Sequence, residues 1–149
     1  MNHEERRTTL ELQHRALRGL IAQVRRSAVD VLDAAVESSQ ELRNQVNALR
    51  LELEDHLATE EALLGPVLER IDAWGPVRLD LMRAEHAHQR AILAVLRSDR
   101  AAALKPELLA RRVLGLLEDI LSDMDAEDRD LLDAKVLCDN VIQLDASDC

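Results

Sequence analysis

Six residues able to bind a metal ion stand where core residues belong. His14, His56, Glu60, His86, Asp123 and Glu127 interrupt four apolar stripes whose members recur in alternating steps of three and four. The first stripe reads Leu10, His14, Leu17, Ile21, Val24, Ala28 and Val31. The second reads Val46, Leu49, Leu53, His56, Glu60, Leu63 and Val67. The third runs Leu79, Met82, His86, Gln89, Leu93 and Leu96, and the fourth Leu109, Val113, Leu116, Ile120, Asp123, Glu127 and Leu131. Such steps hold a residue on one helical face, so all four sets point into a common core. Burying an ionisable group without a partner is costly, and a cation shared by the layer supplies that partner. The interruptions therefore read as a metal site. A metal-free layer of buried histidine–carboxylate pairs is the competing explanation.

The positions agree in depth. With a first turn near Ser38-Ser39, His14 precedes it by about 24 residues and Glu60 follows by about 22, a mismatch of under one helical turn. A second turn at Trp74-Gly75-Pro76 places Glu60 and His86 about 14 and 12 residues away. The third turn, near Asp99 to Pro106, aligns His86, Asp123 and Glu127 more loosely. Six candidate ligands thus converge on one layer of an all-α, up-down-up-down antiparallel four-helix bundle.

The elements follow from start and stop signals. The first helix is expected from about Thr8 or Thr9 to Val36, with Thr as cap and Glu11 reaching back to it. The second is expected from Gln40 to Ala73, with a kink or break at Gly65-Pro66. The third starts after Pro76 and ends near Ser98. The fourth begins at Pro106 and reaches at least Lys135. Residues 1–135 then form one domain, and residues 136–149 an acidic C-terminal tail with no assigned role.

Composition fits this layout. The chain has 149 residues, four Gly, three Pro, no Phe, no Tyr and a single Trp, which suits an aliphatic helical core. The net charge of −10 argues against nucleic acid as a partner, because phosphate contacts need clustered Lys and Arg. No stretch suits a membrane span and the N-terminus carries no apolar signal segment, so a soluble, cytoplasmic protein is expected. Cys138 and Cys149 are too few and too late in the chain to suggest a disulfide framework, and their spacing is not that of a metal-binding pair.

The run His56-Leu-Ala-Thr-Glu60-Glu61-Ala-Leu-Leu-Gly-Pro66 resembles the second-helix motif of hemerythrin-like (HHE cation-binding) domains. Gln13-His14-Arg-Ala-Leu17-Arg resembles the first-helix motif, and Met82-Arg-Ala-Glu85-His86 the third. The resemblance covers roughly residues 9 to 134. It implies a diiron centre: two non-haem irons, bridged by carboxylates and by an oxo or hydroxo group, in a protein that binds or senses dioxygen, nitric oxide, peroxide or iron. His14, His56 and His86 match its terminal ligands, and Glu60 and Glu127 its bridging carboxylates. The fourth motif departs from the pattern. Asp123-Met-Asp-Ala-Glu127-Asp128 places Asp where the family has His, which favours a harder ion, Fe(III) or Mn(II), in one or both positions. Glu61 and Asp128, one residue off the stripes, read as supports for the ligands or as surface charges, and His88 as a surface residue.

Other chemistries fit less well. Ferritin-like diiron enzymes use two Glu-x-x-His pairs, and only Glu11-Leu-Gln-His14 has that spacing. No Ser or Cys stands beside the stripe histidines to act as a nucleophile. A binding or sensing protein is therefore expected over a dedicated enzyme, with dioxygen or another small reactive molecule as ligand. The alternative is a metal-free or degenerate regulatory bundle acting through a protein partner or homodimer.

Overall fold

The computed structural model describes residues 2–33, 39–97, 104–130 and 132. They form four helices: α1 (His3–Leu32), α2 (Gln40–Ile71), α3 (Gly75–Arg97) and α4 (Pro106–Asp130). α1 lies beside α2 and α4, and α3 completes the ring between α2 and α4. Cross-helix pairs show the direction of packing. His14, Arg18 and Arg25 on α1 meet Asp128, Asp125 and Glu118 on α4, so one number rises as the other falls. The helices form the expected up-down-up-down antiparallel four-helix bundle, and no strand occurs among the described residues. No helix there is long and apolar enough to cross a membrane.

The helix boundaries differ from the sequence expectations for local reasons. α1 starts before Thr8. Asn2 is its cap, with Glu5 N–H donating to Asn2 Oδ1 at 2.8 Å and Asn2 N–H donating to Glu5 Oε2 at 2.9 Å. Thr9 instead donates its hydroxyl to the Glu5 carbonyl within the helix, and Glu11 accepts from Arg7. An amide cap with a carboxylate three residues on satisfies two orphan donors and outcompetes a threonine further along. α2 runs through Gly65-Pro66 without a break. Pro66 lies on the exposed side, where water can satisfy the carbonyl its ring leaves free. α2 then stops at Ile71, two residues short of Ala73, because Asp72 turns extended and accepts from Trp74 N–H at 2.8 Å. Gly75 is required at this turn, since a Cβ there would collide with the Leu68 carbonyl. α4 ends at Asp130, where Leu132 N–H bonds the Glu127 carbonyl at 2.9 Å. The predicted helix ends at Val36, Ser98 and Lys135, and the segment 136–149, lie outside the described residues.

The core is two apolar clusters separated by a polar layer. The larger includes Leu17, Ile21, Leu53, Leu57, Leu93, Ile120 and Met124. The smaller contains Leu10, Leu64, Leu68, Leu79, Met82 and Leu132. On α2 the buried face passes from Glu60 to Leu64 and Leu68, leaving Leu63 and Val67 half-buried. A straight helix turns 3.6 residues, so a strict three-four alternation drifts off the buried face within a few turns. His14, His56, Glu60, His86, Gln89 and Glu127 form the buried layer between the clusters.

Candidate metal centre

Every helix contributes to the layer. α1 brings His14, α2 brings His56 and Glu60 one turn apart, α3 brings His86 and α4 brings Glu127. Ligand atoms of His14, His56 and Glu127 lie within 4.8 Å of one another, and so do those of Glu60, His86 and Glu127. Glu127 belongs to both groups. Glu60 also stands between histidines, its Oε2 lying 3.5 Å from His56 Nε2 and 3.3 Å from His86 Nε2. Across the layer, His14 Nε2 lies 3.4 Å from Glu127 Oε2, and the His14 and His56 rings meet edge to face at 4.7 Å. Asp123 is in neither group. It is half-buried, and its Oδ2 accepts from Gln89 Nε2 at 2.6 Å.

Each histidine turns Nε2 inward and Nδ1 toward a fixed partner. His14 Nδ1 bonds Asp128 at 2.6 Å, His86 Nδ1 bonds Glu61 at 2.8 Å, and His56 Nδ1 donates to Gln13 Oε1 at 3.1 Å. The supports are held in turn. Arg18 donates to Asp128 at 2.7 Å, Arg90 donates to Glu61 at 2.8 Å, and Gln13 donates to Thr59. An acceptor at Nδ1 fixes the proton there and leaves the Nε2 lone pair free for a cation.

These supports run in one direction around the bundle. α1 supports the histidine of α2, α2 that of α3, and α4 that of α1. The remaining step, from α3 to α4, is Gln89 on Asp123. Asp123 thus occupies the position in this cycle that a histidine holds on the other three helices. Of the support residues, Glu61 and Asp128 were legible as the carboxylates following Glu60 and Glu127. Gln13 and Gln89 carried no comparable signal, because a glutamine beside or on a stripe reads equally as packing.

Burial and charge set the protonation states. Burial pushes the Glu127 carboxyl up to about 7, opposed by His14 and reinforced by Glu60. Burial brings the His56 ring down to about 4, outweighing Glu60. His14 and His86 are desolvated too, yet their flanking carboxylates, Glu127 with Asp128 and Glu60 with Glu61, raise both rings above the ordinary value. Asp128 and Glu61 are lowered in spite of partial burial, by His14 with Arg18 and by Arg90 with His86.

The donors fit a cation. His14 Nε2, His86 Nε2 and both Glu60 oxygens are buried without a hydrogen-bond partner. Each such group costs about 1–3 kcal/mol when left unpaired, and each residue belongs to one of the two three-residue groups. Imidazole nitrogens mixed with carboxylate oxygens form a donor set able to hold a transition-metal cation. The sequence points the same way: the family model for the hemerythrin HHE cation binding domain matches residues 7–134. Searches of curated proteins and of solved structures return no match. With nearly the whole chain matched and a buried histidine–glutamate layer spanning all four helices, this protein belongs to the hemerythrin HHE cation-binding domain family.

Proposed function

We propose that the layer holds two iron ions, or manganese in one or both positions, and that the protein binds or senses a small reactive molecule such as dioxygen, nitric oxide or peroxide. The observation that carries this reading is the pair of buried three-residue groups sharing Glu127. Two sites with one carboxylate in common are what a bridged metal pair requires. Glu60, with one oxygen 3.5 Å from His56 Nε2 and 3.3 Å from His86 Nε2, would be the second bridge in this reading. His14, His56 and His86 then act as terminal ligands. Asp123 is the sixth, reaching a metal only by giving up its bond from Gln89.

Bound iron would supply electrons and open coordination positions for the small ligand. The chain's own residues do the rest. The two apolar clusters exclude water from above and below the layer, and low polarity there strengthens every charge–charge interaction within it. Asp128 and Glu61 hold the His14 and His86 rings in orientation. The buried layer includes no Ser or Cys to act as a nucleophile on a bound organic substrate, which favours binding or sensing over turnover. The proposal includes a cytoplasmic location, where bound iron is maintained in a reducing environment.

Anaerobic loading with Fe(II), followed by metal analysis and an optical spectrum before and after air or nitric oxide, tests this reading. Two irons per chain and a spectrum that changes with the gas support it. Loaded protein indifferent to both gases and to peroxide would leave cation binding standing and remove the sensing assignment.

A further inference from the structure

Three seams of the bundle are closed at the level of the site by side chains reaching across them. Gln13 meets Thr59 across α1 and α2, and Arg90 meets Glu61 across α2 and α3. Arg18 holds both Asp125 and Asp128 across α1 and α4. The α3–α4 seam is crossed there too, by Gln89 donating to Asp123 at 2.6 Å, but it differs in its packing. These helices pack least closely of the adjacent pairs, and a cavity of about 320 Å3 opens between them. Its lining includes Arg78, Leu81, Glu85, Asp123, Asp130 and, at only 8 % exposure, Glu127. A second cavity of about 430 Å3 shares Leu81, Glu85 and Asp123 with the first and adds His88 and Asp119. The two make one groove that ends on a ligand shared by both metal groups. By contrast, the cavity on the α1–α4 seam ends on Arg18 and Asp128 and touches none of the inner ligands.

The groove has a strong sign. Glu85, Asp119, Asp123 and Asp130 line it ahead of Glu127, and its one arginine, Arg78, is paired with Asp72 at 3.1 Å. Carboxylates along a cleft with apolar walls concentrate their field and raise the local concentration of cations. Glu127 faces the cavity from the inside, and the His14 Nε2 atom 3.4 Å behind it has no hydrogen-bond partner. A cation moving down the groove meets progressively more buried oxygen donors and then imidazole.

We propose that the α3–α4 groove is the port by which divalent cations reach the buried layer, and that its carboxylates speed their arrival while holding anions back. The port rests on the metal reading above and assigns ligand classes to it. Cations and uncharged small molecules reach the centre, and anions are delayed.

The test uses apo-protein and cobalt(II), with uptake followed by the visible absorbance of bound cobalt in a stopped-flow instrument. The pair Glu85→Gln and Asp130→Asn removes two port charges without touching an inner ligand. A control pair, Asp30→Asn and Glu52→Gln, removes two charges from exposed positions on α1 and α2 that line none of these cavities. The port pair should slow uptake about five- to tenfold at low ionic strength, and the control pair by less than about twofold. The difference should shrink toward zero near ~1 M salt, with final cobalt content unchanged in both. Ala126→Trp, which fills the groove with a bulky ring, should slow uptake at every salt concentration. Equal rates for port and control pairs, together with unhindered uptake in the tryptophan variant, would overturn the port and leave the metal site standing. An unmodified apo-protein that takes up no cobalt would overturn the metal reading itself.

Discussion

Glu60 Oε2 on α2 lies 3.3 Å from His86 Nε2 on α3, and neither atom has a hydrogen-bond partner. Both residues are completely buried. At this separation the two form an ion pair when His86 is protonated, and under the metal reading both are donors to one cation.

Glu60 is therefore the residue whose loss matters most. Glu60→Ala should reduce bound metal from two ions per chain to one or none, because both His56 and His86 lose the oxygen they share. Metal analysis after anaerobic iron loading reads this directly. Full metal content in the variant would remove Glu60 from the bridging position.

Asp123 tests the departure from the family pattern. Asp123→Leu should lose metal from one position. It should also destabilise the apo-protein by about 1–3 kcal/mol, since Gln89 Nε2 is left without its acceptor. Asp123→His, which replaces an oxygen donor with imidazole, should bind iron at least as well and raise its reduction potential. Unchanged metal content in the leucine variant would mean that Asp123 serves Gln89 alone.

The supports outside the layer should govern affinity rather than stoichiometry. Asp128→Asn or Glu61→Gln should weaken metal binding roughly 10–100-fold, as expected when the group orienting a ligating histidine is altered. Competition against a chromophoric chelator measures this. Arg25→Gln removes a 2.7 Å pair with Glu118 on the same α1–α4 seam but far from the layer, and should leave affinity unchanged. Equal effects from Arg25 and Asp128 would point to a general loosening of the seam.

Most of the bundle was legible in the sequence because the apolar spacing and the core obey the same geometry. The first and third stripes are buried at every position. The second was read one residue off beyond Glu60, where a strict heptad and a straight helix part company. Helix ends were harder. Asn2 and Glu5 carry a capping box as recognisable as the one assigned to Thr8 or Thr9 and Glu11, and only the paired backbone bonds distinguish them. At the site, five of the six predicted residues come together in the two ligand groups, while Asp123 lies outside both. Sequence periodicity places a residue on a face, but it does not tell which neighbour captures its side chain. Gln89 has that role for Asp123, as Gln13 has for His56.

Metal removal should lower stability, since a cation held only by the folded chain adds to it. At free metal about 1,000 times the dissociation constant the gain is about 4 kcal/mol. For a chain of this length that corresponds to a melting temperature roughly 10 °C higher than that of the apo form. Thermal melts before and after chelation check it. Coincident melts would favour a metal-free layer.

The carboxyl raised to about 7 adds a dependence on pH. Glu127 holds its proton in the folded apo-protein at pH values where an unfolded chain has already lost it. A cation must displace that proton, so binding releases it and affinity falls as pH drops through 7. Titrations at pH 6 and pH 8 should show tighter binding at the higher value. Affinity independent of pH over this range would separate Glu127 from the metal.

The most direct test is the number of irons the protein holds. Full-length protein, loaded anaerobically with Fe(II), freed of excess metal and analysed by mass spectrometry for metals, should retain two irons per chain. Retention of none, by protein that is folded and helical, would contradict a metal centre in this bundle.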